Sequence, residues 1–104
     1  MKIHFSDARI IAESHGLKDS LTTLMSKAFS RMSFQLIMLD VSLKYEYDQR
    51  DGKRRKFCII EAHLVGCEPI TVTSEASCYT QAVNLAIIKL KIFYISRFGR
   101  IWNN

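Results

Sequence analysis

Alternation and helical periodicity divide the chain into six elements. Residues 2–6 (Lys2-Ile3-His4-Phe5-Ser6) alternate, with Ile3 and Phe5 on one side and His4 on the other, which predicts a short strand. Asp7 to Ser14 keeps neither period and reads as a connection, with Ser14 placed to cap the helix that follows. From Leu17 to Met32 the residues Leu17, Leu21, Leu24, Met25, Ala28, Phe29 and Met32 hold to one helix face. Lys18, Thr22, Thr23, Lys27, Ser30 and Arg31 occupy the other, so the segment predicts an amphipathic helix.

Residues 34–47 return to alternation. Ile37, Leu39, Val41, Leu43, Tyr45 and Tyr47 point one way, and Met38, Asp40, Ser42, Lys44 and Glu46 the other. Within 48–53 the Asp51-Gly52 pair has hairpin-turn chemistry. A second strand is expected from about Arg54 to Val65, with Cys58, Ile60, Ala62 and Leu64 on its apolar face and Glu61 and His63 outside. Gly66 to Pro69 is a turn. Ile70 to Ala76 is a third strand, with Ile70, Val72 and Ala76 inward; Pro69 sits at its start, where proline is tolerated. Ser77 is placed to cap a last helix from Cys78 to Phe98, about 31 Å long. Its core face is Tyr79, Val83, Ala86, Ile87, Leu90 and Tyr94. Gly99 is its stop signal and 100–104 a tail.

The order β-α-β-β-β-α predicts an α+β, two-layer sandwich: a four-stranded sheet with two helices on one face. Lys44, Glu46, Glu61, His63, Thr71, Thr73 and Glu75 should face water on the other. The 104 residues make one domain, 1–104. Four Gly and one Pro exclude collagen-like and linker-rich readings. The most apolar run, Val83–Ile95, is broken by Asn84, Lys89 and Lys91, which leaves no expected membrane span. The residues after Met1 have no secretory pattern, and Cys58, Cys67 and Cys78 are odd in number. Both features point to free thiols and the cytoplasm.

Charge changes the picture. Fifteen Lys and Arg against ten Asp and Glu give +5, and the pI is near 9.3. That balance suits nucleic acid or an acidic partner. Lys18, Lys27 and Arg31 lie on the polar side of the first helix. Lys89, Lys91, Arg97 and Arg100 lie on or just after the second, and 76–104 holds no acidic residue. These cations suit RNA phosphates and equally a solvated face. Arg50, Lys53, Arg54, Arg55 and Lys56 crowd the hairpin tip, as a phosphate clamp or as a charged turn that blocks edge aggregation. Leu85, Ile88, Ile92 and Ile95 form a stripe almost opposite the core face of the last helix. It reads as a homodimer seam, a contact with a protein surface, or lateral burial against the first helix.

Catalysis and metal binding find little support. The cysteines show no Cys-x-x-Cys, and His4, His15 and His63 have no ligand spacing. There is no phosphate-cradling glycine loop and no Gly-x-Ser-x-Gly. Neither cofactor nor small-molecule substrate is expected.

The stretch Glu75-Ala76-Ser77-Cys78-Tyr79-Thr80-Gln81-Ala82-Val83-Asn84, the later Lys89-Leu90 step, the opening Met1-Lys2-Ile3-His4-Phe5-Ser6 and the placement of Leu17, Lys18 and Lys27 carry a resemblance. Together with the element order, they resemble the short form of the ribosome hibernation-promoting factors. That family is also called ribosome-associated inhibitor or sigma-54 modulation proteins. The resemblance implies a non-catalytic domain similar in fold to double-stranded RNA-binding domains. It implies docking in the decoding channel of the small ribosomal subunit, where mRNA and tRNA would lie, and ribosomes held idle under stress. It assigns RNA binding to the basic helix faces. Ile92 and Ser96 depart from the pattern, standing where the family's last helix usually carries further cations.

Overall fold

The computed structural model describes residues 1–6, 8–13, 15–32 and 35–102, with the backbone alone at 8, 13 and 98–102. In chain order the elements are β1 (Lys2–Phe5), α1 (Ala8–Glu13), α2 (Leu17–Ala28), a 3₁₀ turn (Ser30–Met32), β2 (Leu36–Asp48), β3 (Lys53–Leu64), β4 (Ile70–Ala76) and α3 (Tyr79–Trp102). The strands form one mixed sheet in the order β1-β2-β3-β4. β1 runs parallel to β2, while β2, β3 and β4 form an antiparallel meander.

A long hairpin organises the sheet. β2 and β3 pair from Asp48↔Lys53 back to Leu36↔Leu64. The reversal is written locally: the Asp48 and Asp51 carboxylates accept the backbone N–H groups of Arg50 and Lys53, each at 2.9 Å. Gly52 takes the left-handed φ of +68° that this loop requires and that a side chain would disfavour.

The helices cover one sheet face. Leu39, Val41 and Leu43 of β2, Cys58, Ile60, Ala62 and Leu64 of β3, and Ile70 and Val72 of β4 join one buried cluster. Leu21 and Met25 come to it from α2, Phe29 from the C-cap of α2, and Ala82, Val83, Ala86, Ile87, Leu90 and Tyr94 from α3. Ser74 is the one buried polar side chain among the described residues. Its hydroxyl donates to the Ala82 carbonyl, tying β4 to the first turns of α3.

Several expectations are corrected. The segment read as a connection contains α1, whose Ile10 reaches the core. Six residues, with no acidic residue in the first turn and no basic one in the last, are too short for a visible period. Residue 14, the expected cap of α2, lies outside the described residues, and the N-cap position belongs to Gly16 at φ +77°. The first long helix ends at Ala28, and a 3₁₀ turn carries the chain to Met32. Ile37 is exposed rather than inward, because β2 spends two residues, Leu36 to Met38, against one step of β3. That bulge turns Leu36 into the core and Ile37 out of it. The Ser77 hydroxyl donates to the Gln81 side chain instead of accepting from the helix backbone. Gly99 does not stop α3, which continues to Trp102; a glycine inside a helix costs only about 1 kcal/mol against alanine.

No described helix is long and apolar enough to cross a membrane.

Candidate nucleic-acid interface

The cations expected to bind RNA do not share one surface. The first surface is a cleft of about 310 Å³ between the C-terminal end of α2 with its 3₁₀ turn and the middle of α3. Lys27, Arg31 and Lys91 line it, with Met32, Tyr94 and Ile95 as its apolar part. No carboxylate lines the cleft, and none of the three cations is ion-paired among the described residues. Buried Phe29 and Tyr94 fix the two walls, so the charges stand on packed elements. Backbone that cannot swing away holds cations at set spacings, which is what phosphate recognition needs.

Lys18 does not share that surface. It lies nine positions before Lys27, and about 100° per residue puts the two on opposite sides of α2. Lys89 is also elsewhere: its ammonium donates to the Thr73 carbonyl on the open edge of β4. A lysine there covers an unpaired strand edge. Arg97 is exposed beyond Tyr94, the last buried side chain of α3 among the described residues. The Arg100 side chain lies outside the described residues.

The basic run of the hairpin is strand rather than loop from Lys53 onward, and alternation splits it. Lys53 and Arg55 belong to the outer face. There Arg55 meets Asp51 at 3.0 Å, Glu75 at 3.4 Å and Asp48 at 3.9 Å, and Arg50 reaches Asp48 at 3.7 Å. These two arginines are occupied by carboxylates. Arg54 and Lys56 belong to the helix-bearing face, in register with Tyr47 and Tyr45. Lys56 lies 4.9 Å from the centre of the Tyr79 ring, a cation–π contact that holds the ribbon to the start of α3.

Sequence reasoning placed Tyr45 and Tyr47 on the apolar face, and the register keeps them there. The helices do not reach them: they are 62% and 57% exposed. The signal was available in the neighbours, since from Tyr45 to Lys56 the face offers cations and tyrosines in place of aliphatic residues.

The outer stripe of α3 is uncovered. Leu85, Ile88, Ile92 and Ile95 are 38–62% exposed, with Phe93 beside them at 54%. Lateral burial against the first helix is therefore ruled out for the stripe, although Ile95 also lines the cleft.

The thiols are all free. Burial pushes the Cys58 thiol up to about 12 from 9.0, which suits a small core residue and not a nucleophile. His4 pairs with Asp40 and His63 with Glu61 on the outer sheet face. Among the described residues no three His, Cys, Asp or Glu converge as metal ligands.

No family model and no curated protein matches the chain.

Proposed function

We propose that the chain is a non-catalytic RNA-binding domain that docks on the small ribosomal subunit and suppresses translation by occupying space used by mRNA and tRNA. The observation that carries it is the acid-free cleft in which Lys27, Arg31 and Lys91 converge from two packed helical elements. Phosphate neutralisation supplies most of the affinity of such contacts. The resemblance to the hibernation-promoting factors supplies the ribosomal partner. The two-layer α+β frame, with helices on one face of a mixed four-stranded sheet, agrees with that resemblance and with a likeness to double-stranded RNA-binding domains. The inhibition is steric, and none of the charged residues needs a chemical role. Sucrose-gradient sedimentation of cell lysate tests the reading. The protein travels with small-subunit particles, and Lys27→Glu with Lys91→Glu releases it to the top of the gradient. Wild-type protein found only at the top would reject the ribosomal partner.

The exposed stripe favours a second reading, a protein-interaction module or homodimer built on Leu85, Ile88, Ile92 and Ile95. α3 contributes no carboxylate to such a seam. Salt separates the readings: RNA binding weakens steeply as salt rises, and a hydrophobic seam does not. Under the second reading Ile92→Lys lowers the apparent mass on size exclusion at tens of micromolar. Under the first, Ile92→Lys leaves both elution and the salt slope unchanged.

A further inference from the structure

The far end of the β2–β3 hairpin carries a surface that the cleft does not explain. Every acidic residue within β2, β3 and β4 (Asp40, Glu46, Asp48, Glu61 and Glu75) falls on the outer face of the sheet. On the helix-bearing face the same ribbon presents Tyr45 and Tyr47 from one strand and, directly opposite, Lys56 and Arg54 from the other. Both tyrosines are more than half exposed. Arg54 is exposed and in no ion pair among the described residues, whereas Arg55, one residue along, is held by carboxylates. One face of the ribbon is therefore neutralised, and the other is aromatic and cationic.

We infer that this face binds an unpaired RNA strand, with bases stacked on Tyr45 and Tyr47 and phosphates drawn to Arg54 and Lys56. The inference deepens the RNA-binding reading and rests on it, but uses none of the cleft residues. Two strand rises of about 3.4 Å put the tyrosines about 7 Å apart. Bases inside a duplex are covered by their neighbours and offer no free ring face. Splayed bases of a single strand do, and aromatic side chains accept any of them. The adjacent cations make the occupant anionic, and β2, β3 and β4 place no carboxylate on this face to compete for them. Tyr79, which marks the near end of the ribbon through Lys56, precedes Lys91 by twelve residues, or about 18 Å along α3. The ribbon and the cleft are separate sites on one molecule, suited to RNA that passes from structured to unpaired segments.

The test is fluorescence anisotropy of the full chain with a short labelled oligouridine, beside ribosome co-sedimentation. Tyr45→Ala with Tyr47→Ala weakens oligouridine binding by roughly five- to a hundredfold per ring lost. Tyr45→Phe with Tyr47→Phe stays within about twofold of wild type, because stacking needs the ring and not the hydroxyl. The cleft variant Lys27→Glu/Lys91→Glu keeps oligouridine binding while losing the ribosome. Equal oligouridine affinity for wild type and the alanine pair overturns the inference and leaves the cleft reading standing. An oligoglutamate peptide bound with the same dependence on the tyrosines overturns it in favour of an acidic protein segment. Oligouridine binding without any ribosome association rejects the ribosomal partner and keeps the ribbon site.

Discussion

The two halves of the β2–β3 hairpin obey the same alternation and meet different fates. In the near half, Leu39, Val41 and Leu43 face Ala62, Ile60 and Cys58, and all six are buried under the helices. In the far half, Tyr45 and Tyr47 face Lys56 and Arg54 on the same side of the same strands, and the helices leave both tyrosines more than half exposed. The domain is correspondingly long: its radius of gyration is 14.5 Å, against about 13 Å for a compact chain of this size. Strand periodicity decides which face a residue occupies. Whether that face is covered depends on how far the helices extend, and under our proposal the uncovered continuation of the core face is the binding surface.

The sharpest way to break this contrast compares two residues of one type. Tyr94 is 2% exposed and Tyr47 is 57% exposed. Tyr94→Ala is expected to cost about 3–5 kcal/mol of unfolding free energy. Tyr47→Ala is expected to stay within about 0.5 kcal/mol. Urea denaturation of both reads the difference directly, and equal costs would mean that the ribbon is covered in solution.

A second, smaller effect comes from the last buried pair of the near half. Cys58 keeps its proton in the fold until about pH 12, while an unfolded thiol loses its proton near 9.0. The folded state thus binds more protons in this window, and stability falls as pH rises from about 9 towards about 12. The loss approaches about 1.4 kcal/mol per pH unit between the two values. Cys58→Ala, measured relative to its own neutral-pH stability, removes that part of the alkaline slope. On the same logic, native thiol labelling is fast at exposed Cys78, slower at half-buried Cys67 and blocked at Cys58.

Ser74→Ala tests the join between β4 and α3. Removing the hydroxyl that donates to the Ala82 carbonyl should cost about 1 kcal/mol in thermal or urea unfolding. The smallest effect belongs to the outer face of the ribbon. Arg55→Ala breaks pairs with Asp51 and Glu75 that are open to solvent, and should cost under about 1 kcal/mol, less at high salt. A larger loss would mean that the outer face, not the core, holds the hairpin together.

These contrasts mark what the amino-acid pattern could convey. β4 is found at Ile70–Ala76 as read, because Pro69 starts it and strict alternation fills it. The hairpin was readable from Asp51-Gly52, and the core side of α3 from Val83, Ile87, Leu90 and Tyr94. The missed features share a cause, which is that tertiary surroundings decided them. α1 is too short for periodicity to register, and Ile10 is drawn in by the core rather than by its own sequence. Ile37 was misplaced because a bulge shifts the register by one, and alternation carries no mark of that. Lys89 and Lys91 look alike as neighbours on a basic helix. Only the positions of the β4 edge and the cleft show that Lys89 meets a backbone carbonyl while Lys91 lines the cleft with no ion pair among the described residues.

The cleft is tested most directly by RNA affinity as a function of salt, using a small-subunit ribosomal RNA fragment with wild type and the Lys27→Glu/Arg31→Glu/Lys91→Glu variant. If these three side chains neutralise phosphates, the wild-type plot of log affinity against log salt is steep, and the variant is shallower by about 2–3 in slope. Identical slopes for the two proteins, or a wild-type affinity that does not change with salt, would contradict the account.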